Sequence, residues 1–251
     1  MNIEEYERMY RFEDHYWWFV ARRDLIAQFL KDLALPAGID ILDIGCGTGA
    51  MLDKLEEFGN VVGADFSTEA LAFCRKRGQR EGKQYRLVRA DIRCLPFADN
   101  SFDVITAMDI VEHIDHDALA VSEIRRVLKP GGYLLATVPA YMSLWSNHDI
   151  ALHHHRRYTA RGFRDVAQRA GLRVAKLTYT VTSLLPLVWI FRRLERFTKS
   201  KTSEPQADVV PLPGLVNKVL LALMEAETQF VRRRTLPFGV TVAAIARKDP
   251  A

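Results

Sequence analysis

Cysteine is scarce in this chain. Only Cys46, Cys74 and Cys94 occur among 251 residues, and none forms a CxxC pair. That argues against a disulfide framework or a zinc knuckle and points to a reducing, cytoplasmic setting. Long apolar runs are also missing. The strongest, residues 184–191, is interrupted early by Pro186 and is far short of the roughly 20 residues a bilayer-crossing helix needs. The opening MNIEEYERMY lacks a signal-peptide pattern. Internal repeats and low-complexity tracts are absent as well. Neither sign of charge prevails: 35 basic residues face 31 acidic ones, a net +4, so bulk charge gives only a weak pull towards an anionic partner. What is plentiful is apolar residues, 49% of the chain, enough for a chain of this length to bury a full core.

Those apolar residues are organised in alternation. Apolar runs at 39–47, 60–67, 85–91, 101–109 and 132–139 read as strands. Helical spacing separates them at 50–59, at 67–78 with Ser67 as N-cap, and at 116–132, where Pro-Gly-Gly closes the helix. This pattern predicts a mostly parallel sheet with right-handed crossovers and helices on both faces. A helix at 162–171 and strands at 172–181 and 240–248 follow. Residues 4–34 read as helical, with an aromatic interruption at HYWWFVARR. Residues 182–239 are too long for a hairpin connection, whose usual loop is ~2–5 residues. They hold two apolar helical candidates joined by the polar TKSKTSEPQADVVPLPG. The expected organisation is one domain: an N-terminal lid (1–38), a core (39–181 and 240–251) and a helical insertion (182–239).

The stretch LDIGCGTGA ends the first strand and opens a helix. Its glycines let the backbone turn tightly and approach a ligand, and the helix that follows offers unpaired N–H groups. Asp65 ends the second strand, ~20 residues on, where a carboxylate can accept both hydroxyls of a ribose. The spacing is GxGxG rather than GxGxxG, which favours S-adenosylmethionine over a dinucleotide. With VVGADFS, RADIRCLPFADNSFDVI and IRRVLKPGGYLLATVP following in order, the chain resembles a class I S-adenosylmethionine-dependent methyltransferase, strongly over residues 39–139.

The resemblance implies a Rossmann-like seven-stranded sheet with an antiparallel last strand, and S-adenosyl-L-methionine as cofactor. It implies that Asp43, Gly45, Cys46, Gly47 and Gly49 line the methionine part, Asp65 the ribose and Phe66 the adenine. Asp91 would accept from the adenine amino group beside Ile92, and Met108 would present main-chain atoms. Within HYWWFVARR it implies a lid that includes Trp18, with Arg22 or Arg23 pairing with the methionine carboxylate. Core packing for the aromatic residues and a helix cap for Asp91 are the plainer alternatives.

HHHRRYT, residues 153–159, follows the fifth strand, so it belongs to the rim where acceptors bind in this scaffold. DIVEHIDH puts His113 at the same rim. Acceptors with a hydroxyl, thiol or protonated amine benefit from losing a proton, and histidine is the natural base near neutral pH. His113, His148 and His154 are the candidate catalytic residues, with Tyr158 as an orienting phenol. Adjacent histidines on an extended segment point to opposite sides, so no metal is assigned. A structural role remains open for the same stretch, with Thr159 capping the helix after it.

The insertion pairs apolar length with basic ends at Arg192, Arg193, Arg196, Lys199 and Lys201, and at Arg232 to Arg234. Capping the domain or making a homodimer is one reading. Contact with a membrane surface or a lipid-linked acceptor is the other. Nucleic acid is not expected, because aromatic residues do not interleave with the basic ones. The function expected is methyl transfer to a small-molecule acceptor. A non-catalytic S-adenosylmethionine-binding module and an NAD-dependent oxidoreductase are the alternatives.

Overall fold

The computed structural model describes residues 3–198 and 211–250. Residues 199–210, which include Lys199, Lys201 and most of the expected polar connection, lie outside the described residues, as does the side chain of Arg196. Seven strands form one sheet: β1 (Ile39–Ile44), β2 (Gly59–Asp65), β3 (Arg86–Arg89), β4 (Phe102–Met108), β5 (Leu128–Pro139), β6 (Leu172–Thr180) and β7 (Thr241–Lys248). Their order is β3-β2-β1-β4-β5-β7-β6. The first five run parallel, and β7 runs antiparallel to both β5 and β6. The expected Rossmann-like sheet with its antiparallel last strand is therefore present.

Both faces of a parallel sheet must be covered, and the strand period of two assigns neighbours to opposite layers. Leu42, Ile44, Leu134 and Ala136 pack with α5 (Asp117–Val127) and α7 (Ala160–Arg169). Ile41 and Leu135, in between, pack on the other face with α2 (Trp17–Asp32), α3 (Ala50–Glu56) and Val231 of α9 (Gly214–Arg233). Ser67 caps α4 (Thr68–Glu81), accepting from Ala70 N, and Thr159 caps α7, accepting from Gly162 N. Both caps were expected.

Two departures from the sequence reading exceed a shift of a few residues at an element's end. The helix expected to 132 stops at Val127, because Pro130 disfavours helical backbone at the preceding residue and Leu128 pairs with Phe102 at the start of β5. The N-terminal helical stretch is broken into α1 (Ile3–Phe12) and α2 by residues 13–16. In the insertion, α8 (Leu185–Thr198) and α9 stand between β6 and β7. The Glu227 carboxylate of α9 accepts from Val181 N and Thr182 N where the chain leaves the sheet. Asn217 ties α9 to the lid, accepting from Trp17 N (2.9 Å) and donating to His15 O (2.8 Å). No helix of the described residues is long and apolar enough to cross a membrane.

Candidate active site

The glycine turn leaves the carboxyl end of β1 and is tied to β2 at once: Gly45 N and Cys46 N both donate to Ala64 O (2.8 and 3.1 Å). Gly45 has φ +70°, and a Cβ there would lie 2.9 Å from the Ile110 side chain. Gly47 has φ +56°, and a Cβ would lie 2.7 Å from Met9 of α1. Left-handed backbone and close cover thus both call for glycine here. Gly47 N then donates to Asp65 Oδ2, and Ser67 N to Asp65 Oδ1, each at 2.9 Å. Burial pushes the Asp65 carboxyl up, against these backbone bonds, which favour the charged form.

Asp43 lies beneath the turn and is 1% exposed. Thr106 Oγ1 donates to its Oδ1 (2.6 Å), while its Oδ2 is buried without a hydrogen-bond partner. Burial raises this carboxyl to about 7, and the positive charge of Arg22 opposes the shift. A buried carboxyl oxygen without a partner, beside a turn in which Gly45, Gly47 and Gly49 carry no Cβ, fits a polar, cationic ligand.

The N-terminal segment covers this region. Tyr6 of α1 is buried with its phenol near Asp65 and Ser67, and burial pushes it up to about 12. At the end of α1, Glu13 accepts from Thr48 Oγ1 and from Arg77 of α4. Arg77, 2% exposed, also donates to Thr48 O (3.1 Å) and to Asp14 (2.6 Å). This latch joins lid, glycine turn and α4, and it gives no sequence signal because its members are far apart in the chain. Arg23 donates to Glu13 O, while Arg22 reaches the tip of β4 and pairs with Asp109.

The side expected to receive an acceptor is built by the turns after β4 and β5. Asp109 (φ +50°) accepts from Thr137 Oγ1 (2.9 Å), and its N–H donates to Thr137 O. A 3-10 turn, Val111–His113, follows. The HHHRRYT segment docks there: His155 N donates to Glu112 O (2.8 Å), and Tyr158 N to Pro139 O (2.8 Å). Asp149, buried in the short helix α6 (Asn147–Ala151), is the hub. It holds His154 Nδ1 (2.9 Å) and accepts from Arg157 Nε (2.7 Å) and Ser146 N (2.9 Å). These partners pull its carboxyl well below the usual range. The His113 and His154 rings meet edge to face at 4.6 Å, and His148 lies 6.3 Å from His154 between ring centroids. Burial lowers both His113 and His148 to about 3, so both are neutral at pH 7 and weak proton acceptors.

Three of the four candidate catalytic residues are thus brought together, and Tyr158 is not among them. It is buried against Phe163, and its hydroxyl donates to Asp117 (2.8 Å), because its backbone bridge to β5 turns the side chain into the core. On the cofactor side, Cys46 and Ile92 are buried, and Met108 packs on the α2 layer. Phe66 is 65% exposed, with the Arg89 guanidinium 5.6 Å from its ring centroid. Asp91 is held by Arg93 through Nε (3.0 Å) and Nη2 (2.6 Å), which lowers its carboxyl. Trp18 stacks edge-on with Trp17 and packs against the cluster of Leu144, Val181, Met224 and Val240, towards α9. Thr106, Asp109, Glu112 and Arg77 were not singled out from sequence, and Asp149 was considered there only as a metal ligand beside His148. Only Glu112, next to His113 in DIVEH, carried a local signal.

Residues 42–136 match a family profile described as a methyltransferase domain. A probable S-adenosylmethionine-dependent methyltransferase of Mycolicibacterium smegmatis is 30% identical over 165 residues, 64% of this chain and 61% of that protein. A demethylmenaquinone methyltransferase of Thermus thermophilus is 40% identical over 109 residues, 41% of this chain and 49% of that one. The match spans less than two thirds of either relative's length. Among solved structures, the cyclase SpnF superposes with a TM-score of 0.63 at 21% identity, covering 94% of this chain and 88% of its own. That likeness shows the fold alone, which does not specify a reaction.

Proposed function

We propose that this chain, whose residues 42–136 match a methyltransferase-domain profile, is a class I S-adenosylmethionine-dependent methyltransferase that transfers a methyl group to a small-molecule acceptor with an apolar body. Bound S-adenosylmethionine supplies an activated methyl group to an in-line nucleophile, so the protein's work is chiefly binding, orientation and exclusion of water. Asp65 would take the ribose hydroxyls, keeping its bonds to Gly47 N and Ser67 N with its remaining lone pairs. Asp43 Oδ2 would take a donor from the methionine end, with Arg22 at hand for the carboxylate. Phe66, Asp91 and Ile92 would frame the adenine, and α1 would exclude water. The observation that carries this reading is the paired carboxylates Asp43 and Asp65 around the glycine turn, one with an open oxygen.

On the acceptor side, His154 is the candidate base whose ring a carboxylate orients. A cavity of about 580 Å³, which His154 does not line, is formed by Tyr141, Ser143, Leu144, Leu185, Pro186, Trp189 and Ile190 between the turn after β5 and α8. That volume suits a ring with a short tail. Leu187, Trp189, Ile190 and Phe191 of α8 are exposed, which supports an acceptor whose apolar part continues along this helix. The demethylmenaquinone methyltransferases among the relatives make a quinol-type acceptor the first to assay.

Calorimetric titration with S-adenosylhomocysteine and with NAD tests the cofactor assignment. S-adenosylhomocysteine should bind, and Asp65→Ala should weaken it about 10- to 100-fold, since hydrogen bonds to a charged group contribute about 1.5–3 kcal/mol. Binding of NAD with no response to S-adenosylhomocysteine would overturn the proposal.

A further inference from the structure

The acceptor-side cluster contains a set of donor atoms that methyl transfer alone does not call for. Glu112 is fully buried, and neither carboxylate oxygen has a hydrogen-bond partner. An ionised carboxylate buried in this way is strongly unfavourable, so Glu112 either keeps its proton, the direction in which burial pushes it, or is neutralised by a cation. The neighbouring arginines are engaged elsewhere, Arg22 with Asp109 and Arg157 with Asp149. Instead, two imidazoles face it. His154 Nε2 lies 3.9 Å from Glu112 Oε1. Because His154 Nδ1 is engaged by Asp149 at 2.9 Å, the tautomer that donates there leaves the Nε2 lone pair open on the Glu112 side. His113 meets the His154 ring edge to face. One ligand atom from each of Glu112, His113 and His154 lies within 4.8 Å of the other two. Around a tetrahedral ion with bonds of ~2.0–2.2 Å, donor atoms stand about 3.3–3.6 Å apart, so the three side chains must close by up to roughly 1.5 Å to hold one.

We propose that Glu112, His113 and His154 form a binding site for a first-row divalent transition-metal ion such as zinc. Two imidazoles and one carboxylate are the donor set such ions take, whereas magnesium and calcium favour all-oxygen sites. Asp149 supplies the outer carboxylate that commonly fixes the orientation of a ligating imidazole. Three protein ligands leave further positions on the ion open. On the methyl-transfer reading, an oxygen of the acceptor would be held there, so activation would rely on the ion instead of on His154 as a base. Three consecutive histidines on an extended segment rarely share one ion, since neighbours point to opposite sides. In the fold only the middle one, His154, reaches the cluster, and its partners come from the turn after β4.

The test is made on the whole protein without methyl donor. After dialysis against a chelator and removal of the chelator, zinc and cobalt are titrated by calorimetry, with cobalt also followed by its visible absorption. One equivalent should bind with micromolar or tighter affinity. Glu112→Gln, which keeps the side-chain shape, should weaken binding at least tenfold, and His154→Ala should do likewise. His155→Ala should leave it unchanged, since His155 belongs to an exposed pair with Asp115. Absence of stoichiometric binding, undiminished binding in Glu112→Gln, or loss only in His155→Ala would each overturn the site. A protein that binds S-adenosylhomocysteine but no ion refutes this inference and keeps the proposed function. One that binds the ion but not S-adenosylhomocysteine does the reverse.

Discussion

Asp43→Asn separates the folding role of the glycine-turn carboxylate from its binding role. Asp43 is fully buried, holds one hydrogen bond from Thr106, and leaves one oxygen unpartnered. Its carboxyl rises from 3.8 to about 7 on folding. The native state therefore keeps a proton that the unfolded chain releases, so this group's contribution to stability falls as pH climbs through that window. At about 1.4 kcal/mol per pH unit, the full loss is about 4 kcal/mol above pH 7. Asparagine keeps the acceptor for Thr106 and does not titrate. Any fixed cost of its unpaired amide is the same at every pH and drops out of the comparison. Urea unfolding of both proteins from pH 4 to pH 8 should show the variant gaining on the wild type by about 3–4 kcal/mol across the range. Taking the difference also removes the opposite slope from the buried histidines. Donor affinity at pH 8 should meanwhile fall at least tenfold, as one charged hydrogen-bond acceptor is lost. A difference that stays flat with pH would show that Asp43 is ionised and neutralised in the folded protein, and the reasoning about its open oxygen would fail.

Three further outcomes are expected. Arg77→Ala should destabilise the protein by about 3–5 kcal/mol, because Glu13 would be left buried without its cation; a loss under about 1 kcal/mol in urea unfolding would refute the latch. His148→Gln should lessen acid sensitivity: His148 falls to about 3, so its contribution is intact above pH 6.5 and is lost as pH drops. Between pH 6.5 and pH 5 the wild type should therefore lose about 2 kcal/mol more than the variant, and parallel curves would contradict this. Trp189→Asp, at the mouth of the α8 cavity, should raise KM for a prenylated quinol several-fold without changing affinity for S-adenosylhomocysteine. An unchanged KM would remove α8 from acceptor binding.

Much of this protein is written in local patterns. Runs of apolar residues ending in glycine or aspartate determined the strands, and the helical segments between them called for crossover connections and so for parallel pairing. Ser67 and Thr159 were legible as caps because a cap depends on three or four consecutive residues. The glycine turn and Asp65 were legible for the same reason, since each sits at a strand end whose position is set by hydrophobicity. The length of residues 182–239 alone announced an insertion before the last strand.

What the sequence could not determine is which distant side chains meet. Arg22 pairs with Asp109 across 87 positions, and Glu13 with Arg77 across 64. Tyr158, read from its neighbours as a rim residue, is turned inward by the backbone bridge of Ala140 to Tyr158. Of three consecutive histidines, only His154 enters the cluster, because Asp149 draws it there, while His153 takes a left-handed, exposed conformation. Charge and burial at a buried site depend on every element packed around it. Local pattern therefore determined the scaffold and the glycine turn, whereas the open oxygens of Asp43 and Glu112, on which the proposed chemistry rests, came into being only when the strand tips, the N-terminal helices and the turns closed over them.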